Sequence, residues 1–137
     1  MSEHFFTVAE VNALLPQVKR AAEMVRRGSV RLRALSAGLY SGGRPQADTP
    51  VDGDYMAGLE SLIRGIDIIG SLGGEMKDLS SGLVDFPSLL EGREVLLCWK
   101  VGEERVGYWH DLHAGYAGRS AITDDAAFGG VRARDVH

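Results

Sequence analysis

The stretch Glu94 to Leu112, EVLLCWKVGEERVGYWHDL, decides the fold of this chain. Two runs rich in β-branched and aromatic residues flank a polar turn that contains glycine. This pattern predicts a β-hairpin with strands at about 94–101 and 106–112. We place the centre of the hairpin between Glu103 and Glu104, which fixes the expected register of the two strands.

Alternation along these strands assigns each side chain to one of two faces. The more apolar face is the better core candidate, and it would carry Val95, Leu97, Trp99, Val101, Val106, Tyr108, His110 and Leu112. The second face is partly apolar, so we expect a loop, the tail or another subunit to cover it. It would carry Leu96, Cys98, Lys100, Trp109 and Asp111.

Two helical segments precede the hairpin. Apolar or small residues recur at alternating steps of four and three from Val11 to Leu39, and again from Tyr55 to Met76, as in a coiled-coil seam. Thr7 and Glu10 have the spacing of a capping box, and Pro16 lacks the amide hydrogen that a helix interior needs. We therefore expect helices at about 8–14, 16–40 and 52–76.

The remaining segments complete the expected architecture. The glycine- and proline-rich stretch 41–50 reads as a flexible loop, and a further strand at about 83–86 should stop at Pro87. Residues 123–137 are small and polar, which is typical of a loosely ordered tail.

Charge favours antiparallel pairing of the two long helices. Residues 17–39 carry six basic side chains and one acid, whereas residues 51–78 carry six acids and two bases. We therefore predict one α+β domain over residues 1–122, in which an antiparallel helical hairpin packs on a three-stranded antiparallel sheet.

Composition excludes several classes of protein. The 137 residues carry a net charge of −4, which gives no general attraction for nucleic acid or anionic lipid. No aromatic side chains accompany the basic residues of the first long helix, so nucleic acid is not an expected partner. No leader-like or membrane-spanning run occurs, and Cys98 is the only cysteine, so we expect a cytoplasmic protein without an intramolecular disulfide.

Seven short strings in the second half of the chain form a distinctive series. They are Lys77-Asp78-Leu79, Gly82-Leu83-Val84-Asp85-Phe86-Pro87, Gly92-Arg93-Glu94-Val95, Cys98-Trp99, Gly102-Glu103, Tyr108-Trp109-His110 and Gly115-Tyr116-Ala117-Gly118-Arg119. Together with the opening at residues 7–16, they resemble the bacterial family called domain of unknown function 2203. The resemblance implies a shared fold and leaves the chemistry open.

The strongest candidate site surrounds His110. Imidazole and carboxylate are ordinary ligands for divalent metal ions, but His110 and His113 point to opposite faces of a continuous strand. We therefore expect His110 to be joined by Glu103, Asp85 or Glu75 from other elements. The competing interpretation is a half-buried histidine that is hydrogen-bonded to a carboxylate.

A second candidate lies in Gly115 to Arg119. Backbone amides and the Arg119 guanidinium could surround an anion there, although a glycine-rich turn with Arg119 in a salt bridge explains the same residues. In the expected register Cys98 pairs with Trp109 and belongs to the core.

Two functions follow from these candidates. The first is a small binding or interaction module with a polar site around His110, which could self-associate as a homodimer through leftover apolar surface. The second is a metal-dependent hydrolase that uses His110, Glu103 and Asp85 as ligands and Arg119 to hold an anionic substrate.

Overall fold

The computed structural model describes residues 4–39 and 53–129, and within them the chain forms two helices and a five-stranded antiparallel sheet. The helices are α1 (Val8–Leu39) and α2 (Gly53–Leu72). The strands lie side by side in chain order as β1 (Glu75–Asp78), β2 (Leu83–Leu90), β3 (Arg93–Lys100), β4 (Tyr108–Asp111) and β5 (Ser120–Ala121). The α+β class is confirmed, and the expected number of three strands is wrong because two short edge strands extend the sheet.

A capping box opens α1. The Thr7 amide donates to Glu10 Oε1 at 2.8 Å, and the Glu10 amide donates to Thr7 Oγ1 at 3.0 Å. Phe6 and Val11 are both buried beside it, as a hydrophobic staple requires. The helix therefore begins where the sequence predicts.

The expected break at Pro16 does not occur, since α1 runs through it without interruption. Pro16 lies on the exposed side of the helix, where water can satisfy the carbonyl that loses its partner. Leu15 and Val18 are buried on the opposite side. Continuous packing of that side thus outweighs the missing hydrogen bond.

Helix α2 ends at Leu72, four residues earlier than predicted, because Gly73 adopts a left-handed conformation with φ of 100°. The Gly73 amide donates to the Gly70 carbonyl at 3.1 Å, and the Gly74 amide donates to the Ile69 carbonyl at 3.0 Å. These two bonds form a Schellman motif. The chain then continues into β1, whose first two residues, Glu75 and Met76, fall within the predicted helix.

Strand β2 continues through Pro87, which was expected to stop it. The Pro87 carbonyl accepts a hydrogen bond from the Phe6 amide at 2.8 Å, on the side away from β3. The N and C=O of one strand residue point the same way, so the missing N–H faces away from β3 too. Beyond Asp85 the ladder with β1 has ended, and proline therefore costs no strand pairing.

The β3–β4 register differs from the prediction by one residue. Cys98 lies opposite Tyr108 and Leu97 lies opposite Trp109, so the hairpin is centred on Glu103. Val106, predicted to lie in the strand, precedes β4, is fully buried and donates its amide to Asn12 Oδ1 of α1. This anchoring to the helix sets the register. Its consequence is that His110 and Tyr108 lie on the face opposite to the predicted one.

The helices and one face of the sheet enclose the core. Side chains from α1 and α2 meet the sheet residues there, which include Val84, Phe86, Val95, Leu97 and Trp99. The helices run antiparallel, because a Cβ at Gly28 would touch Leu62 while one at Gly73 would touch Phe6. The expected loop at 41–50 lies outside the described residues.

Part of the expected tail is ordered against the sheet. Phe128 is buried and forms a bridge with Leu90, and the Gly129 amide donates to the Leu89 carbonyl at 2.9 Å. The Phe128 ring also lies 6.0 Å from that of Trp109. Residues 130–137 lie outside the described part of the chain.

Candidate functional site

The second face of the sheet carries a buried histidine–aspartate pair. His110 Nε2 lies 3.0 Å from Asp85 Oδ2, and the two side chains are 2% and 1% exposed. Asp85 lies opposite Cys98 in the β2–β3 ladder, and His110 lies opposite Leu96, two residues along β3. Three adjacent strands therefore direct Asp85, Cys98 and His110 to one point.

Cys98 completes a group of three possible metal ligands. Its sulfur, a carboxylate oxygen of Asp85 and a ring nitrogen of His110 all lie within 4.8 Å of one another. Burial raises the pKa of the Cys98 thiol to about 12, and the negative charge of Asp85 acts in the same direction. The thiol is thus neutral at ordinary pH and unsuited to nucleophilic attack.

Hydrogen bonds determine how many protons the cluster holds. His110 Nδ1 lies 2.7 Å from the Asp111 carbonyl oxygen, which can only accept, so Nδ1 carries a hydrogen. A second hydrogen lies between His110 Nε2 and Asp85 Oδ2. The other oxygen, Asp85 Oδ1, is buried and has no hydrogen-bond partner among the described residues. The Cys98 thiol beside the Asp85 carboxylate is only a weak donor, so this buried oxygen lacks a strong partner, which is costly.

The other predicted site residues form a separate ion pair. Arg119 Nη2 donates to Glu103 Oε1 at 2.8 Å, to Glu103 Oε2 at 2.9 Å and to the Cys98 carbonyl at 3.3 Å. Glu103 also accepts from the Lys100 amide at 2.8 Å. Glu103 thus lies outside the cluster around His110. Its carboxylate binds Arg119 in the place of the external anion that the sequence suggested.

Arg119 covers the second face of the sheet. Its guanidinium lies 4.0 Å from the ring centre of Tyr108 and 4.9 Å from that of Tyr116, both within the distance of a cation–π interaction. The loop after β4 therefore supplies the cover that the sequence analysis assigned to a loop, the tail or another subunit.

Glu75, another proposed ligand, lies opposite Asp85 in the β1–β2 ladder and pairs with Lys77 at 2.5 Å. The hydrogen bond to Glu75 raises the pKa of Lys77, and Asp85 contributes a further electrostatic attraction. Glu75 is exposed and neutralised locally, so it is not a member of the buried cluster.

Sequence reasoning joined His110 with Asp85 but missed Cys98. The wrong register set Cys98 opposite Trp109 and His110 on the other face. With Cys98 opposite Tyr108, as the structure has it, the alternation of side chains would have brought the two together.

Comparison of the chain with known proteins identifies its family. No helix among the described residues is long and apolar enough to cross a membrane. No curated protein and no solved structure matches the chain. The family model described as an uncharacterized conserved protein, DUF2203, matches residues 4–122, which cover both helices and all five strands of the described chain. The chain therefore belongs to the family of domain of unknown function 2203.

Proposed function

We propose that this protein is a metal-binding module that holds one divalent transition-metal ion between Asp85, Cys98 and His110. The observation that carries the proposal is the convergence of these three ligand types within 4.8 Å in the buried interior. The partnerless oxygen Asp85 Oδ1 in the same cluster is the second support. A bound cation would give this oxygen a partner.

The spacing of the donor atoms suits a tetrahedral ion. Zinc binds nitrogen and oxygen at about 2.0–2.2 Å, so two ligand atoms on one tetrahedral edge lie about 3.3 Å apart. The separation of 3.0 Å between His110 Nε2 and Asp85 Oδ2 is close to that edge. The two atoms can therefore become ligands of one ion with little movement of the strands.

The ligand chemistry favours zinc or a similar metal over magnesium or calcium. Thiolate and imidazole are preferred by borderline and soft cations, whereas magnesium and calcium take oxygen ligands. The bond from His110 Nδ1 to the Asp111 carbonyl fixes the ring so that Nε2 faces the cluster.

Charge balance also supports a divalent ion. A thiolate from Cys98 and a carboxylate from Asp85 neutralise two positive charges, and His110 binds as neutral imidazole. The metal-free cluster holds the thiol hydrogen and the hydrogen between His110 and Asp85, so binding should release about two protons per ion. Affinity should therefore rise with pH.

The hydrolase interpretation has less support than a non-catalytic role. A hydrolytic metal needs a site open to substrate, but the three ligand residues are at most 2% exposed. Arg119, which would hold the substrate, is already paired with Glu103. We favour a structural or metal-sensing role. A buried free thiol is also compatible with the reducing cytoplasm that the sequence analysis expected.

Metal binding is tested by equilibrating the purified protein with Zn²⁺, removing unbound ions and measuring zinc by elemental analysis. We expect about one ion per chain. Loading with Co²⁺ should also give the ultraviolet absorption of a cobalt–thiolate bond, which Cys98→Ser removes.

Matched histidine variants locate the ion. His110→Gln should lose the metal, whereas His113→Gln, at an exposed position, should keep it. Circular dichroism establishes that each variant is folded. Zinc at background level in the folded natural protein, or equal zinc in both histidine variants, would refute the proposal and leave a purely structural histidine–aspartate pair.

A further inference from the structure

The outer half of the helical pair, residues 27–36 of α1 and 55–64 of α2, is incompletely buried. Within these two ranges only Gly28 and Gly58 are buried. The last fully buried apolar side chain of α1 before them is Val25. Larger seam residues such as Leu32 and Leu62 remain half-buried, so two helices alone do not enclose this seam.

An open groove runs along the outward side of α2. It has a volume of about 590 Å³, and its apolar lining is formed by Met56, Leu59, Ile63 and Ile68. Met56 is 50% exposed and Ile63 is 48% exposed, so two large apolar side chains about two turns apart on one side of the helix face solvent.

Charges along this groove complement a second copy of themselves. Glu60, Arg64 and Asp67 line it with alternating sign, and none of the three has an ion-pair partner in the described part of the chain. If two α2 helices lie antiparallel about an axis between residues 63 and 64, each Arg64 lies opposite Ile63 of the other copy and between its Glu60 and Asp67. Glu60 of one copy then faces Asp67 of the other, and the Arg64 side chains neutralise these facing acids. The apolar residues Leu59 and Ile68 face each other in the same arrangement.

We propose that two copies of this chain associate through the α2 groove in an antiparallel, two-fold symmetric manner. The two helical pairs then form a four-helix arrangement in which the exposed apolar side chains of α2 meet. The interface is one helix wide and about 30 Å long, because α2 has 20 residues at about 1.5 Å each. A contact of this size is consistent with a reversible dimer. This inference is independent of the metal site.

The test is sedimentation equilibrium of the full chain over about a thousandfold range of concentration. The natural protein should shift from monomer to dimer. Ile63→Gln should weaken the dimer at least about tenfold, since it removes apolar surface and buries a polar amide at the centre of the contact. The control Leu112→Gln alters an apolar residue of similar exposure, 44%, on the sheet side and should leave the dimer unchanged.

Charge reversal tests the orientation. Arg64→Glu alone places like charges together and should weaken association. The triple variant E60R/R64E/D67R restores a self-complementary pattern and should recover the dimer. A monomer at every concentration, an unchanged dimer in Ile63→Gln, or a triple variant as weak as the single one would overturn the proposal. A heterologous partner of a strictly monomeric chain would overturn it equally.

Discussion

His110 Nε2 and Asp85 Oδ2 lie 3.0 Å apart in a site where neither side chain is more than 2% exposed. One hydrogen is shared between two groups that can each carry a charge. Removing either group leaves the other buried without its partner, which costs about 3–5 kcal/mol for a buried ion pair. We therefore expect Asp85→Ala and His110→Ala each to lower the free energy of unfolding by an amount in that range.

This first prediction is checked by urea denaturation in the presence of a chelator, so that metal binding does not contribute. The double variant should lose less than the sum of the two single losses, since it leaves no unpaired group. Asp85→Asn, which can still donate to His110, should be milder than Asp85→Ala. Additive losses, or single losses below about 1 kcal/mol, would contradict a tightly coupled pair.

The capping box gives a second prediction. Thr7→Ala removes the oxygen that accepts the Glu10 amide and should lower the free energy of unfolding by about 1 kcal/mol. Thr123→Ala, at an exposed position, serves as the control. Equal stabilities of the two variants in urea denaturation would mean that the cap contributes nothing.

Glu10 adds a pH dependence to the same cap. The Thr7 amide is the largest cause that lowers the pKa of Glu10 below 4.5. A carboxyl group with a lowered pKa in the folded state stabilises the protein above its ordinary pKa and loses this contribution as pH falls. The stability difference between the natural protein and Glu10→Gln should therefore be present at neutral pH and close below pH 4.5.

Much of the fold could be predicted from local patterns. The capping box, the two long helices and the β-rich runs after Gly82 each depend on neighbouring residues, and the structure contains all three, with the second helix ending at Leu72. The break at Pro16 and the stop at Pro87 were predicted from the same kind of rule. Both predictions were wrong. Each proline lacks its N–H on the side of the helix or strand that faces away from the packed neighbours, so the packing of α1 and the pairing of β2 with β3 are kept.

The candidate site was harder to predict because it depends on long-range register. The Val106 amide donates to Asn12 Oδ1, 94 residues earlier in the chain. This contact shifts the β3–β4 pairing by one residue from the predicted register. A shift of one residue moves His110 from one face of the sheet to the other. Only with the observed register do His110 and Cys98 share a face.

Cys98 should make stability depend on alkaline pH. Burial raises the pKa of its thiol from 9.0 to about 12, so the unfolded state loses the proton first as pH rises. Stability is then complete below pH 9.0 and declines between pH 9.0 and about 12, by at most about 1.4 kcal/mol per pH unit.

Other groups also titrate at alkaline pH, so the measurement compares the natural protein with Cys98→Ser. Urea denaturation of both without metal, at about pH 8 and about pH 10, should show the steeper loss in the natural protein. Parallel curves would mean that the Cys98 thiol ionises as readily in the folded state as in the unfolded one.

Gly70 in the last turn of α2 and Gly73 just beyond its end should respond to alanine in opposite ways. Gly73 has φ of 100°, and a Cβ there would lie 2.5 Å from Phe6 Cζ. Gly73→Ala therefore strains the backbone and displaces a core ring, and it should destabilise the protein by more than about 1 kcal/mol. Gly70 is helical, and a Cβ there meets nothing within 4 Å, so Gly70→Ala should stabilise by about 0.5–1 kcal/mol through the loss of unfolded-state entropy. Thermal unfolding of the two variants checks the pair. A stabilising Gly73→Ala would show that the left-handed turn is not what ends α2, and β1 would then need another reason to begin where it does.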